Sequence, residues 1–269
     1  MSRSDGEVSL AIVKCSIIVK KMEAIGIQFN GDVKAPCPDC GIETAQLPGC
    51  GVRFRCDSCS EKVEREEREE RNRKNDYQRR IHWEKICPEG YRATDPNHPG
   101  LDQDLLKFSR DWARTRGWES PTKPGLGLIG PTRLGKTRVA YLLLKHLADS
   151  GKSVWAVRAK VHARQAVTAA GGNSADKRSQ SEARHALHQA LNADITLIDD
   201  LGKISASPRA IEAFEDLIEH RTSLGLPLIW TANGSSKWLT SLFGPDSGPP
   251  IVARLAEFCR VFRADDTDS

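Results

Sequence analysis

The segment GPTRLGKT, residues 130–137, sets two glycines, a lysine and a hydroxyl at the spacing G-x-x-x-x-G-K-[ST]. Gly130 and Gly135 let the backbone turn sharply, so that successive N–H groups face one point and attract oxyanions. Lys136 is a charge for β- and γ-phosphate oxygens, and the Thr137 hydroxyl can hold Mg²⁺. Pro131, Thr132, Arg133 and Leu134 complete the phosphate-binding set; Arg133 either touches phosphate or points outward. An apolar run, LGLIG, precedes the loop and a helical pattern follows it. A strand–loop–helix of this kind is a nucleotide site, read here as one for ATP with Mg²⁺.

Two further segments could complete such a site. ITLIDDLG, residues 195–202, is a buried-strand pattern ending in two carboxylates. Asp199 would hold the cation, and Asp200 would orient or deprotonate an attacking water; one role needs a charge opposite the metal, the other a proton acceptor. The plainer reading is a strand followed by an acidic turn. LIWTANGS, residues 228–235, is another buried strand with a polar end. Asn233 would orient the same water, with Thr231 as a weaker candidate, unless Asn233–Gly234 is only a turn.

The other chemistry-bearing cluster is of cysteines. Of eight in the chain, five fall between Cys37 and Cys59, and the remainder are Cys15, Cys87 and Cys259. A disulfide scaffold would spread pairs through a small secreted chain. Cys37-x2-Cys40 and Cys56-x2-Cys59 instead have the spacing of a four-thiolate Zn²⁺ site, with no open coordination position for catalysis. Cys50 lies between the pairs without a CxxC partner. Phe54, flanked by Arg53 and Arg55, either stacks a base or packs against the metal module.

These residues must be positioned by a chain of 269 residues, enough for one sizeable core and a smaller module. Charged residues are 28% and hydrophobic ones 39%, an ordinary soluble composition. A formal charge of +4 permits nucleic-acid contact without arguing for it. No run approaches the length of a membrane span. The start, with Lys14 and Cys15 interrupting its apolar patch, reads as an initial strand or a ragged start and not as a signal peptide, so a cytoplasmic location is expected.

Residues 61–82 contain neither Pro nor Gly and place Glu61–Arg65, Glu64–Arg68, Glu67–Arg71 and Glu70–Lys74 at i,i+4, acid first. Each pair supports an exposed helix by about 0.2–0.5 kcal/mol. Leu101, Leu105, Phe108 and Trp112 then mark a helix with one buried face. Beyond it strands (LGLIG, SVWAVRA, ADITLIDD, PLIWTAN, RVFRA) alternate with helical patterns, which predicts an α/β domain with a mainly parallel sheet covered on both faces. Its site should lie beyond the carboxyl ends of the strands. The expected organisation is a zinc module over 1–60, a charged helical linker over 61–84 and a P-loop domain over 85–269.

The order GPTRLGKT, ITLIDDLG, WTANGS, ARLAEF resembles that of the AAA+ ATPases, above all the bacterial and phage helicase loaders, which are related to transposase-helper ATPases. The resemblance covers roughly residues 85–263. It implies ATP hydrolysis, with Gly130, Gly135, Lys136 and Thr137 as the phosphate loop, Asp199 as metal holder, Asp200 where many relatives have glutamate, and Asn233 as polar sensor. It makes Arg254 the arginine supplied to a neighbouring subunit's ATP, hence a homo-oligomer when ATP is bound. The segment CPEGYRAT resembles the one flanking adenine. A second arginine expected just after the final strand is not evident; Arg263 is poorly placed. The partners implied are the replicative helicase and single-stranded DNA, with no membrane. The alternatives are a transposase helper on duplex DNA and a weakly hydrolysing, ATP-switched zinc adaptor.

Overall fold

The computed structural model describes residues 34–45, 55–93, 95–172, 176–202, 207–234 and 236–264. The chain divides into two compact units between Gln78 and Arg79. The expected initial strand, Cys15, Cys50, Arg53 and Phe54 lie outside the described residues.

In the first unit, β1 (Lys34–Pro36) and β2 (Glu43–Ala45) form an antiparallel hairpin. The helix α1 (Asp57–Ile86) begins in this unit and runs past its boundary. Among the residues of α1, only Ile86 is buried. The Glu70–Lys74 pair closes at 2.7 Å, and Lys74 holds the Glu70 carboxyl below its ordinary range. The expected charged helix is therefore present and starts a few residues earlier than its charge run.

The second unit contains a short turn of helix, α2 (Glu89–Arg92), and then α3 (Gln103–Arg114). Asp102 caps α3 by accepting from the Leu105 N–H at 2.8 Å. Leu105, Leu106 and Trp112 bury the apolar face that the spacing anticipates. There follow β3 (Gly125–Ile129), α4 (Lys136–Asp149), β4 (Val154–Arg158), α5 (Ala159–Ala169), α6 (Lys177–Asn192), β5 (Ile195–Asp199), α7 (Pro208–Ser223), β6 (Leu228–Ala232), α8 (Ser236–Phe258) and β7 (Cys259–Arg263).

The five strands form one parallel sheet in the order β4-β5-β6-β3-β7. Central β3, β5 and β6 are buried at every position, as a sheet covered on both faces requires. In this order β3 lies beside β6, which lies beside β5, so the ends of the three site-bearing strands are adjacent. Packing density in this core leaves Leu126, Leu128, Leu197 and Phe214 fully buried.

Arg221 on α7 is also fully buried. Its guanidinium donates to the carbonyls of Ala190, Leu191 and Ala193 at 3.0 Å, of Asp194 at 3.3 Å and of Pro227 at 2.7 Å. These acceptors include carbonyls of the last turn of α6, of which that of Ala190 also accepts from the Thr196 hydroxyl, so the side chain fixes that helix end against the start of β6. Burial lowers its pKa to about 10, which leaves it charged at neutral pH.

The stretch α8 is two helices that meet at a kink. The break is a single residue, Gly244 (φ +85°, ψ 172°), and helix resumes at once through Pro245. A proline tolerates the first turn of a helix because its missing N–H would be unpaired there anyway.

Candidate nucleotide site and metal centre

The phosphate loop joins the end of β3 to the start of α4. Gly135 caps α4 with φ +83°, where a side chain would be strained, and a Cβ there would also lie 2.6 Å from Leu101 Cδ2. The loop is held from that side, since the Asp102 N–H donates to the Leu134 carbonyl at 3.2 Å. Lys136 is buried, and its ammonium donates to the carbonyls of Gly130 at 2.8 Å and Pro131 at 2.6 Å. Burial lowers the Lys136 pKa, while Asp200 and Asp199 pull the other way. An ammonium held so, beside the N–H groups opening α4, is suited to binding phosphate oxygens.

The acidic pair stands at the end of the next-but-one strand. Asp199 is buried, and its Oδ1 accepts from the Thr137 hydroxyl and from the Thr231 hydroxyl, each at 2.8 Å. Burial raises the Asp199 pKa, and the two hydroxyl bonds counter this. Asp200 has φ +61°, a left-handed conformation that Asp tolerates better than most side chains. It is held there because its N–H donates to Thr231 Oγ1 at 2.8 Å and the next N–H, of Leu201, donates to the Thr231 carbonyl at 2.8 Å. The Asn233 amide donates to Asp200 Oδ1 at 3.2 Å. Thr231 thus positions both aspartates through its hydroxyl and backbone, and it also lines the cavity described next.

These groups open onto one cavity of about 610 Å³. Thr132, Arg133, Gly135, Lys136, Thr137, Asp199, Asp200 and Asn233 line it. Gly130, Pro131 and Leu134 lie behind that lining; the first two accept from Lys136, and Leu134 packs on the core. Several lining residues were not singled out as site residues in the sequence: His98, Arg138, Arg158 and Lys160. Tyr91, from the CPEGYRAT segment, forms another wall, stacked on Tyr141 (ring centroids 5.3 Å apart, planes at 8°) with the Arg138 guanidinium 5.7 Å above it. Arg158 carries a structural signal: it pairs in register with Asp199 across β4 and β5.

Arg254 is not part of that cavity. It lies on α8 and pairs with Glu219 of α7 at 3.1 Å, both side chains substantially exposed. Arg263 ends β7 opposite Ile129 and does not line the cavity. Cys87 and Cys259 are buried thiols, pushed up to about 11 and about 12 by burial.

The four cysteines converge in the first unit. The chain turns tightly after β1: the Cys37 N–H donates to the Ile42 carbonyl at 2.8 Å and the Gly41 N–H to the Cys37 carbonyl at 2.9 Å, with Gly41 at φ +76°. This presents Cys37 and Cys40, while Cys56 and Cys59 stand at the start of α1. Their sulfurs all lie within 4.8 Å of one another, Cys40 and Cys56 at 3.5 Å. Four sulfurs at about 2.3 Å from a tetrahedral Zn²⁺ stand roughly 3.8 Å apart, so the cluster can hold zinc. The Arg55–Asp39 ion pair joins the two halves beside it. Hydrogen bonding with Cys40 and Cys56 pushes the Cys59 thiol up to about 12, as expected where crowded sulfurs cannot all ionise without a cation.

No protein-family model matches the sequence. No curated protein matches it either. Solved structures do. The DnaC helicase loader is 19% identical, over 66% of this chain and 100% of that one, with a TM-score of 0.52. DnaI is 18% identical, over 66% of this chain and 90% of that one, with a TM-score of 0.52. A DNA replication initiation factor is 15% identical over 64% of this chain, with a TM-score of 0.50, and this chain spans 49% of its length. The likeness is one of fold: the second unit, with its five-stranded parallel sheet, has the AAA+ P-loop fold of the DnaC type.

Proposed function

We propose that this chain binds and hydrolyses ATP and uses it to load or remodel a replicative helicase on single-stranded DNA. The observation that carries the reading is the convergence of Lys136, Thr137, Asp199, Asp200 and Asn233 on one cavity. Phosphates would sit against the loop N–H groups and Lys136. Thr137 and Asp199 offer hard oxygen donors for Mg²⁺, which would neutralise phosphate charge when bound. Asp200 would accept the proton of the attacking water, and the Asn233 amide would hold that carboxylate in line. Arg254, outside its own cavity and exposed, would serve the ATP of a second copy in a homo-oligomer. Zn²⁺ would hold the Cys37, Cys40, Cys56 and Cys59 module in shape as the contact for the helicase. The fold likeness to a helicase loader supports this choice over other P-loop roles.

The test is capture of the replicative helicase by the full chain, with ATP, with ADP, and after zinc removal. The expected result is capture that depends on nucleotide and is lost in Cys37→Ser/Cys40→Ser. Absence of capture in every state, with ATP bound and zinc intact, overturns helicase loading. Capture of a transposase and duplex DNA in its place would identify a transposase helper. Capture that persists in Asp200→Asn would identify an ATP-switched adaptor that needs no turnover.

A further inference from the structure

We infer that Trp238 is a positioning residue of the hydrolytic site, a wedge that sets the spacing between the loop carrying Asp200 and the loop carrying Asn233; this rests on the ATPase reading above. Asp200 ends one loop segment at the end of β5, with Gly202 two residues on. Asn233 follows β6, with Gly234 immediately after. The same indole covers both glycines. A Cβ built on Gly202 would lie 1.8 Å from Trp238 Cη2 and 2.3 Å from Cζ3. A Cβ built on Gly234 would lie 2.7 Å from Cε3 and 3.0 Å from Cδ2. Real Cβ atoms do not approach so closely, so neither position accepts even alanine without displacing the ring. Gly234 also has φ +146°, which side chains disfavour.

The ring projects from the first turn of α8, whose Leu239 and Phe243 are buried in the core. Trp238 itself is 36% exposed, so it is held as a surface wedge and not as a core side chain. On the cavity side the described residues of the two loops are joined by polar contacts: Asn233 Nδ2 to Asp200 Oδ1 at 3.2 Å, and the Thr231 bonds to Asp200 and Leu201. Those to Thr231 fix the Asp200 backbone. The longer side-chain contact depends on how far apart the loops stand, which the indole sets from outside. The phosphate loop belongs to β3 and α4, and Trp238 is not among the residues lining the cavity. Losing the wedge should therefore loosen the water-handling pair while leaving phosphate binding intact.

The experiment compares the full-length wild type with Trp238→Ala, Trp238→Phe and Gly202→Ala in ATP affinity, turnover and intrinsic emission. Misplacing a catalytic pair by about 1 Å costs on the order of 100-fold. The expected result is turnover lower by about 10- to 100-fold in Trp238→Ala and Gly202→Ala, ATP affinity within about two-fold of wild type, and substantial recovery in Trp238→Phe. Wild-type turnover in Trp238→Ala overturns the inference, as does an ATP affinity that falls in step with turnover, or a Phe variant no better than Ala. If wild type binds ATP but turns over too slowly to measure, emission decides. A difference between the ATP and ADP states that is absent from Trp238→Phe supports the wedge, and an equal difference in both proteins overturns it. Failure of wild type to bind ATP at all sinks the ATPase reading itself, a result distinct from any of these.

Discussion

The cysteine cluster draws its four donors from one stretch of chain, Cys37 to Cys59, and needs only a hairpin turn and the first turn of a helix. The nucleotide cavity draws on residues from Tyr91 to Asn233, on three strands and the segments between them. The first site is surrounded by little apolar burial: Cys37 is the one buried residue described there before Ile86. The second is set in a continuous core. A local site with no core must be stabilised by its ligand, whereas a site gathered from distant segments is stabilised by its scaffold and can exist before its ligand arrives.

The largest expected effect breaks the two sites apart. Zinc removal by a chelator, or Cys37→Ser, should withdraw about 10 kcal/mol or more of apparent folding free energy from the first unit alone. Limited proteolysis should then cut within residues 34–60, while ATP affinity is unchanged. Equal loss of ATP binding would erase the distinction between the two plans.

The reverse experiment attacks the scaffold. Arg221→Met removes a buried charge together with its bonds to five carbonyls, of which only those of Ala190 and Pro227 keep a bond from Thr196 among the described residues. A loss of about 3–5 kcal/mol is expected, seen as a melting point lower by roughly 6–20 °C for a unit of this size. Zinc content, measured by atomic absorption, should stay at one per chain. Arg221→Lys should not rescue, since an ammonium cannot reach two sets of acceptors in one plane.

Lys136→Ala tests the site without the scaffold. It should weaken ATP binding about 100-fold, or ~3 kcal/mol, with the melting point of the nucleotide-free protein nearly unchanged. Calorimetric titration and thermal melts together check both halves of that statement.

The smallest effect is one of pH. His162 on α5 is buried against Phe214, and burial holds its pKa at about 4, below the ordinary 6.5. The unfolded chain therefore takes up the proton first as pH falls. The stability contributed by neutral His162 is complete above pH 6.5 and is lost progressively down to pH 4, about 2 kcal/mol of it between pH 7 and 5. Denaturant midpoints across that range should fall less steeply in His162→Leu. An unchanged slope would assign the acid sensitivity elsewhere.

The legibility of each site follows from the same contrast. The phosphate loop, the two aspartates and the paired CxxC motifs could be read because their chemistry depends on neighbours within a few residues. Gly135 illustrates the limit: its need for a sharp turn was visible, but the Leu101 side chain that also excludes a Cβ was not. Thr231 was visible as a polar residue in an apolar strand, yet its role as the anchor of both aspartates required β5 beside β6. The sequence singled out neither Arg221 nor Trp238, because what each touches lies far away in the chain. The kink at Gly244 divides α8, and Ile251 and Leu255 bury the second helix against the core despite its prolines.

The sequence by itself determined which residues can meet phosphate, cation and thiophilic metal, because residue type and short-range spacing set what each can bind. It also determined the alternation of strand and helix, through hydrophobic period. Only the tertiary structure decided that β3, β6 and β5 stand side by side, that Arg158 joins the cavity, and that one indole covers two distant glycines. Such placements depend on contacts between segments far apart in the chain, which are selected by burial in a common core and leave no periodic trace in either segment alone.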